Sequence, residues 1–211
     1  MPLTRKPPPA PPAGAGPLAD AAAIARALAD GNEDERWAAA RAAANLPDSV
    51  PALKDALAGE TSPAVREALF SALARIASPQ SAEAVLPLLR SDDALLRTRA
   101  SDALVAMKQA AWPYIAALLR DESADVRVLA CGMVREMPSE RAAPLCCDLL
   151  DAEQEQNVCA AAVETLAEIG HASALPALMR CAQRFRGTPF LEFSIDTAID
   201  RVRSQAITPR A

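Results

Sequence analysis

The side chains best able to do chemistry are few. His171 is the only histidine, and it lies in the segment IGHASAL. A histidine that binds a metal or moves a proton needs partners held beside it. The chain has no glycine-rich phosphate loop, no nucleophile elbow and no zinc-ligand spacing, so His171 is read as a solvated turn residue. The five cysteines, Cys131, Cys146, Cys147, Cys159 and Cys181, are odd in number and unpatterned in spacing. That is no disulfide framework, and it suits a reducing, cytoplasmic compartment. Cys146-Cys147 invites a metal or thiol reading, but neighbours on a helix point about 100° apart and are poorly placed to share one ion. Cys131 is the best candidate for an exposed, reactive thiol, although nothing nearby in sequence would lower its pKa. The expectation is a protein that is not an enzyme, with no catalytic residue, no cofactor and no metal site.

The elements that position these residues follow from composition and period. Half of the 211 residues are apolar but only 3% are aromatic. Alanine makes the difference, with 50 residues. It is the best helix former and fills little volume, so many closely packed helices are expected. Alanine and arginine richness also fits a bacterial, GC-rich genome. No apolar run approaches the roughly 18 residues of a membrane span, and no leader pattern opens the chain. Residues 1–19, MPLTRKPPPAPPAGAGPLA, hold seven of the 18 prolines and are read as a disordered tail. Either a docking peptide or a solubilising tail fits them. Beyond that tail 20 basic residues face 27 acidic ones, a poor balance for phosphate-backbone binding. Neither nucleic acid nor a membrane is expected as a partner.

From Asp20 onward the chain repeats itself. Segments 35–46, 65–76, 96–107 and 126–137 carry Arg36, Arg66, Arg97 and Arg127 at spacings of 30, 31 and 30 residues. Two degenerate copies, 158–169 and 191–202, place Cys159 and Glu192 in the arginine column. Positions −1, +3, +7 and +10 from the column are apolar in nearly every copy, which traces one face of an α-helix. A second kind of helix precedes each of these, marked by a proline before an apolar pair, as in VPALKDAL, WPYIAALL, APLCCDLL and LPALMRCA. Pro87 comes about a turn late in its copy and is expected to kink or displace that helix. In the repeat frame Cys146 and Cys181 stand where other copies have leucine or isoleucine, so they are read as core. Ser62-Pro63, Ser78-Pro79 and Thr188-Pro189 mark helix starts, as does Asn32 with Glu35. The domain is thus about six hairpins, approximately 20–47, 48–77, 78–108, 109–138, 139–170 and 171–203, with 204–211 as a C-terminal tail.

The pattern (A/V)-P-x-L-x-x-L-L, a polar turn, then (V/L)-R-x-x-A-x-x-A-L-x-x-(I/M) resembles the HEAT repeat, most of all the short bacterial subtype first noted in phycobilisome lyases. The resemblance implies an all-α, right-handed α-α superhelix of the HEAT/armadillo type, with second helices lining its concave face. It also implies that turn acids pair with the column arginines; Asp92, Asp93, Asp121 and Asp125 stand near Arg97 and Arg127. Cys159 and Glu192 interrupt that ladder. Iron-dependent hydroxylases of similar repeats rely on His-Glu pairs, and none occurs here.

Columns +1, +5 and +9 would then project from the concave face. The candidate partner-binding residues on it are Trp37, Arg41, Arg75, Asp102, Gly132, Glu136 and Glu164, basic toward the N-terminal half and acidic toward repeats three to five. A solvated face without partner preference is the competing reading. Phe185, Phe190 and Phe193 are read as a C-terminal cap closing the core. The expected function is an adaptor or scaffold binding another protein. The alternative is a phycobilin-lyase-like or chaperone-like module holding a protein with its small-molecule cofactor. Partner, pathway and oligomeric state leave no mark in the sequence.

Overall fold

The computed structural model describes residues 20–207, without the side chains of Ala206 and Ile207. Both the proline-rich segment 1–19 and residues 208–211 lie outside them. The described residues form twelve α-helices and short 3-10 turns, with no strand among them. They fall into two compact units, one ending at Ala84 and the other beginning at Val85.

The first unit is built from α1 (Ala21–Asp30), α2 (Glu33–Ala43), α3 (Val50–Gly59), α4 (Pro63–Ile76) and most of α5 (Pro79–Val85). Helix α1 packs on α2 and α3, and α2 packs on α4, so first helices lie beside first helices and second beside second. The starts are those the sequence marks. Asn32 and Glu35 close a reciprocal capping box on α2, and the Ser62 and Ser78 hydroxyls accept from Val65 N–H (3.4 Å) and Ser81 N–H (3.0 Å).

Pro87 ends α5. It has no N–H to give to the preceding turn, so the α-helical ladder stops there. The chain continues as a 3-10 helix, Leu86–Arg90, and the boundary between the two units falls just before it, at the end of α5.

The second unit holds α6 (Ala94–Met107), α7 (Trp112–Leu118), α8 (Ala124–Val134), α9 (Ser139–Ala152), α10 (Gln156–Ile169), α11 (Leu175–Arg184) and α12 (Pro189–Ile207). Second helices pack in series, α6 on α8, α8 on α10 and α10 on α12, while α9 lies against α11. Gly170 ends α10 at φ 68°, a left-handed conformation that glycine takes without strain.

All twelve residues of columns +3 and +7 are buried. Ala39, Ala100, Ala130 and Ala162 keep most of the +3 column small, so the helices approach closely there, while Leu73, Leu104 and Leu166 fill the space at +7. Cys146 and Cys181 are fully buried in the first-helix layer, at the leucine positions of other copies. Helix α12 runs through Ile207.

Candidate functional site

Two arginines of the column, Arg36 and Arg127, tie their turns to the next repeat through glutamates. Arg127 donates from Nη1 to the Asp121 (2.8 Å) and Glu122 (3.1 Å) carbonyls of its own turn, and grips Glu153 of the next repeat with Nε (2.6 Å) and Nη2 (3.2 Å). Arg36 does the same with the Gly31 carbonyl (3.0 Å) and Glu60 (2.8 and 3.1 Å). Burial alone would raise the Glu153 pKa, but Arg127 and the Glu155 and Gln154 N–H groups outweigh it and hold the carboxyl below its usual range. Glu60 is lowered chiefly by its hydrogen bond to Arg36. Of the expected aspartates, Asp93 caps α6 through Leu95 N–H, Asp121 pairs with Arg90, and Asp92 offers its carbonyl to Arg97. Asp125 lies 3.8 Å from the column arginine Arg97. The acids that carry the ladder, Glu60 and Glu153, both stand six residues before the arginine column of their own repeat. That shared offset was the signal sequence reasoning missed.

Cys159 leaves its rung without an arginine, and Arg184 of α11 lies beside it. Its Nη2 donates to the Leu150 carbonyl and lies 4.0 Å from Cys159 Sγ and 3.9 Å from Cys181 Sγ, while Nη1 reaches the Asp151 carbonyl (3.4 Å). The ladder is interrupted at Cys159, as expected: its Sγ reaches the Glu153 carbonyl at 3.8 Å, and Arg184 instead ties α11 to the end of α9. At the other departure, Glu192 accepts from Gly187 N–H (2.8 Å) within its own turn.

The remaining chemical candidates are structural. His171 Nδ1 accepts from Ser173 N–H (3.3 Å) and sits 2.7 Å from Ser173 Oγ, capping a 3-10 turn. Cys131 is not exposed: it is 1% accessible, and burial pushes its thiol up to about 12. The reason is register, because the +4 position faces α10, whose Thr165 hydroxyl donates to the Cys131 carbonyl (3.2 Å). Burial likewise raises the Cys146 thiol. Among the described residues no group of three His, Cys, Asp or Glu is placed to hold a metal.

The outer face of the second helices is a different surface. None of the eighteen residues in columns +1, +5 and +9 is buried. In the first unit Trp37 is half-buried and the Arg41 guanidinium stacks over its ring at 4.7 Å, with Arg75 exposed on α4. In the second unit Asp102, Glu136 and Glu164 are exposed, and a Cβ on the half-buried Gly132 would touch nothing within 4 Å. Phe190 and Phe193 do not cap the core. They are 76% and 72% exposed, whereas Leu191 and Ile195 between them take the buried positions. Only Phe185 turns inward. The two rings border an open cleft of about 560 Å³ between α10 and α12, together with Ala160, Glu164, Glu168 and Arg201.

The profile of HEAT repeats matches residues 21–105 and 113–185. The chain belongs to the HEAT repeat family. Among curated proteins none matches the sequence. Among solved structures, the archaeal HEAT-like repeats protein from Thermococcus onnurineus NA1 aligns with a TM-score of 0.50 and 16% identity, covering 87% of each chain. A designed armadillo repeat protein in complex with the peptide (KR)4 aligns at 0.45 and 17% over 85% of this chain and 98% of the other. Human deoxyhypusine hydroxylase in complex with glycerol aligns at 0.45 and 19%, over 87% and 84%. Repeats of this family commonly mediate protein binding. No helix among the described residues is long and apolar enough to cross a membrane.

Proposed function

We propose that this HEAT repeat chain is a non-catalytic adaptor that binds another protein along the outer face of its second helices, in the cytoplasm. One observation carries the reading: columns +1, +5 and +9 are open throughout and include large aromatic side chains, on helices whose +3 and +7 columns are closed. Two phenylalanines at more than 70% exposure, on neighbouring turns of one helix, lose apolar contact with water only when something covers them. Trp37 with Arg41 gives the first unit its own anchor, of the residue types that dominate binding energy in interfaces. Arg41 and Arg75 lend that unit's face positive charge, while Asp102, Glu136 and Glu164 make the second unit's face acidic. A partner of complementary charge would be steered into register.

The test is affinity capture from the native host with the full chain, repeated with Trp37→Ala and Phe193→Ala. One partner protein should be recovered by the wild type and depleted by both variants at unchanged melting temperature. A partner that both variants retain at wild-type level would overturn the assignment to this face.

A further inference from the structure

The cleft between α10 and α12 has a definite chemical bias, and the inference drawn from it rests on the protein-binding reading above. In the repeat frame column +1 of the second unit's last three second helices reads Val128, Ala160 and Phe193, an apolar row closed by an exposed ring. One turn further along, column +5 reads Gly132, Glu164 and Thr197. Glu164 is the only charge in that row. It is exposed and makes no hydrogen bond or ion pair among the described residues. At Gly132, beside it in the row, a Cβ would meet open space.

The next row differs. There Glu168 is already met by Arg135 at 3.3 Å and faces Arg201 in the repeat frame, so that end of the cleft is balanced. Glu164 thus lines the cleft with both rings, one turn from the Phe193 row and one turn from the Arg201 row, and is paired with neither Arg135 nor Arg201. A ring face is electron-rich and attracts a cation, more strongly for a guanidinium that can also stack. Carboxylate and ring together ask for one and the same group.

We propose that this cleft takes an extended peptide segment of the partner that carries an arginine or lysine next to an apolar side chain. The cation stacks on Phe193 and pairs with Glu164, and the apolar neighbour covers Phe190. The small floor residue Ala160 leaves room for the segment's backbone. An acidic segment would bring like charge against Glu164 with nothing on that row to offset it.

The probe is a fluorescently labelled nine-residue peptide of leucine, proline and two arginines, with a twin carrying glutamate in place of each arginine. Both are titrated against the full chain by anisotropy. The arginine peptide should bind saturably, at least tenfold more tightly than its twin, and more weakly as salt rises. Phe193→Ala should weaken it about 30-fold, the loss typical of an aromatic anchor, and Glu164→Gln should remove most of its preference over the twin. Lys54→Ala, at an exposed position of α3 in the other unit, should leave it unchanged. Equal binding of the two peptides, or an affinity indifferent to both cleft substitutions, overturns the inference. If at the same time host capture still depends on Trp37 and Phe193, the protein-binding reading stands and only the cationic specificity falls.

Discussion

The first unit and the second handle the same repeat in different ways. In the first, the ladder arginine Arg36 finds its turn acid Glu60, and the half-buried Trp37 is stacked upon by Arg41 from the next turn of its own helix. In the second, the repeat twice departs from its pattern. Where the column loses its arginine at Cys159, the thiol itself reaches the Glu153 carbonyl, and Arg184 is brought in from another helix to hold the Leu150 and Asp151 carbonyls at the end of α9. Where α12 places Phe193 in the +1 column, nothing covers it. A departure whose groups the fold keeps bonded belongs to stability. A departure left bare on an otherwise well-packed helix belongs to recognition, and that distinction can be attacked by substitution.

The largest effect should come from the core that both units share. Leu104→Ala removes a fully buried side chain from column +7 and should cost about 2–5 kcal/mol in denaturant unfolding. A cost below about 0.5 kcal/mol would mean that column +7 is not the core of this helix. Next come the rungs. Glu153→Ala leaves Arg127 without its bidentate acceptor and should cost about 2–3 kcal/mol, short of a fully buried pair because one edge of the guanidinium reaches solvent. Arg184→Ala should cost about 1–3 kcal/mol by freeing the Leu150 and Asp151 carbonyls. If Arg184→Ala alone is neutral, its bonds to the end of α9 carry no stability.

Acid sharpens the same contrast. The Glu60 and Glu153 carboxyls are both held below their ordinary range in the fold. Their contribution is therefore complete above the unfolded carboxylate pKa near 4.3 and is lost as pH falls through the lower folded values. Unfolding stability should decline from about pH 5 downward, and Glu153→Gln should flatten that decline while lowering stability at pH 7. A variant with the wild-type slope would remove Glu153 from the ladder. The smallest effect should be that of Phe193→Ala, which exposes no core and should move the melting temperature by no more than about 1 °C.

Much of this was legible in the residues. The 30-residue arginine spacing and the four apolar offsets fixed the second helices, and the capping box at Asn32 was read with its partner. Pro87 marked its own helix break. Other features depend on what a turn or helix end meets in space. Glu60 and Glu153 share an offset, but offset alone does not say which of several nearby acids an arginine will reach. Arg184 lies 25 residues from Cys159 in a different helix, and only packing of α11 brings it there. Cys131 differs from its reading because periodicity gives the inward face of a helix, whereas the stacking of neighbours decides the flanks, and +4 is closed by α10. Phe193 stands in column +1, which the repeat frame leaves open, and the frame holds there against the reading of the phenylalanines as a cap.

The account's central claim is that this protein works through a surface and not through a chemical site. The most direct measurement is the dissociation constant of the captured partner, by titration calorimetry, for two double variants whose melting temperatures match the wild type. Phe193→Ala with Glu164→Gln should weaken the complex by about 30-fold or more, while His171→Ala with Cys146→Ser should leave it unchanged. A partner affinity untouched by the first pair, with function abolished by the second in a folded protein, would contradict the account and point to chemistry at His171 or Cys146.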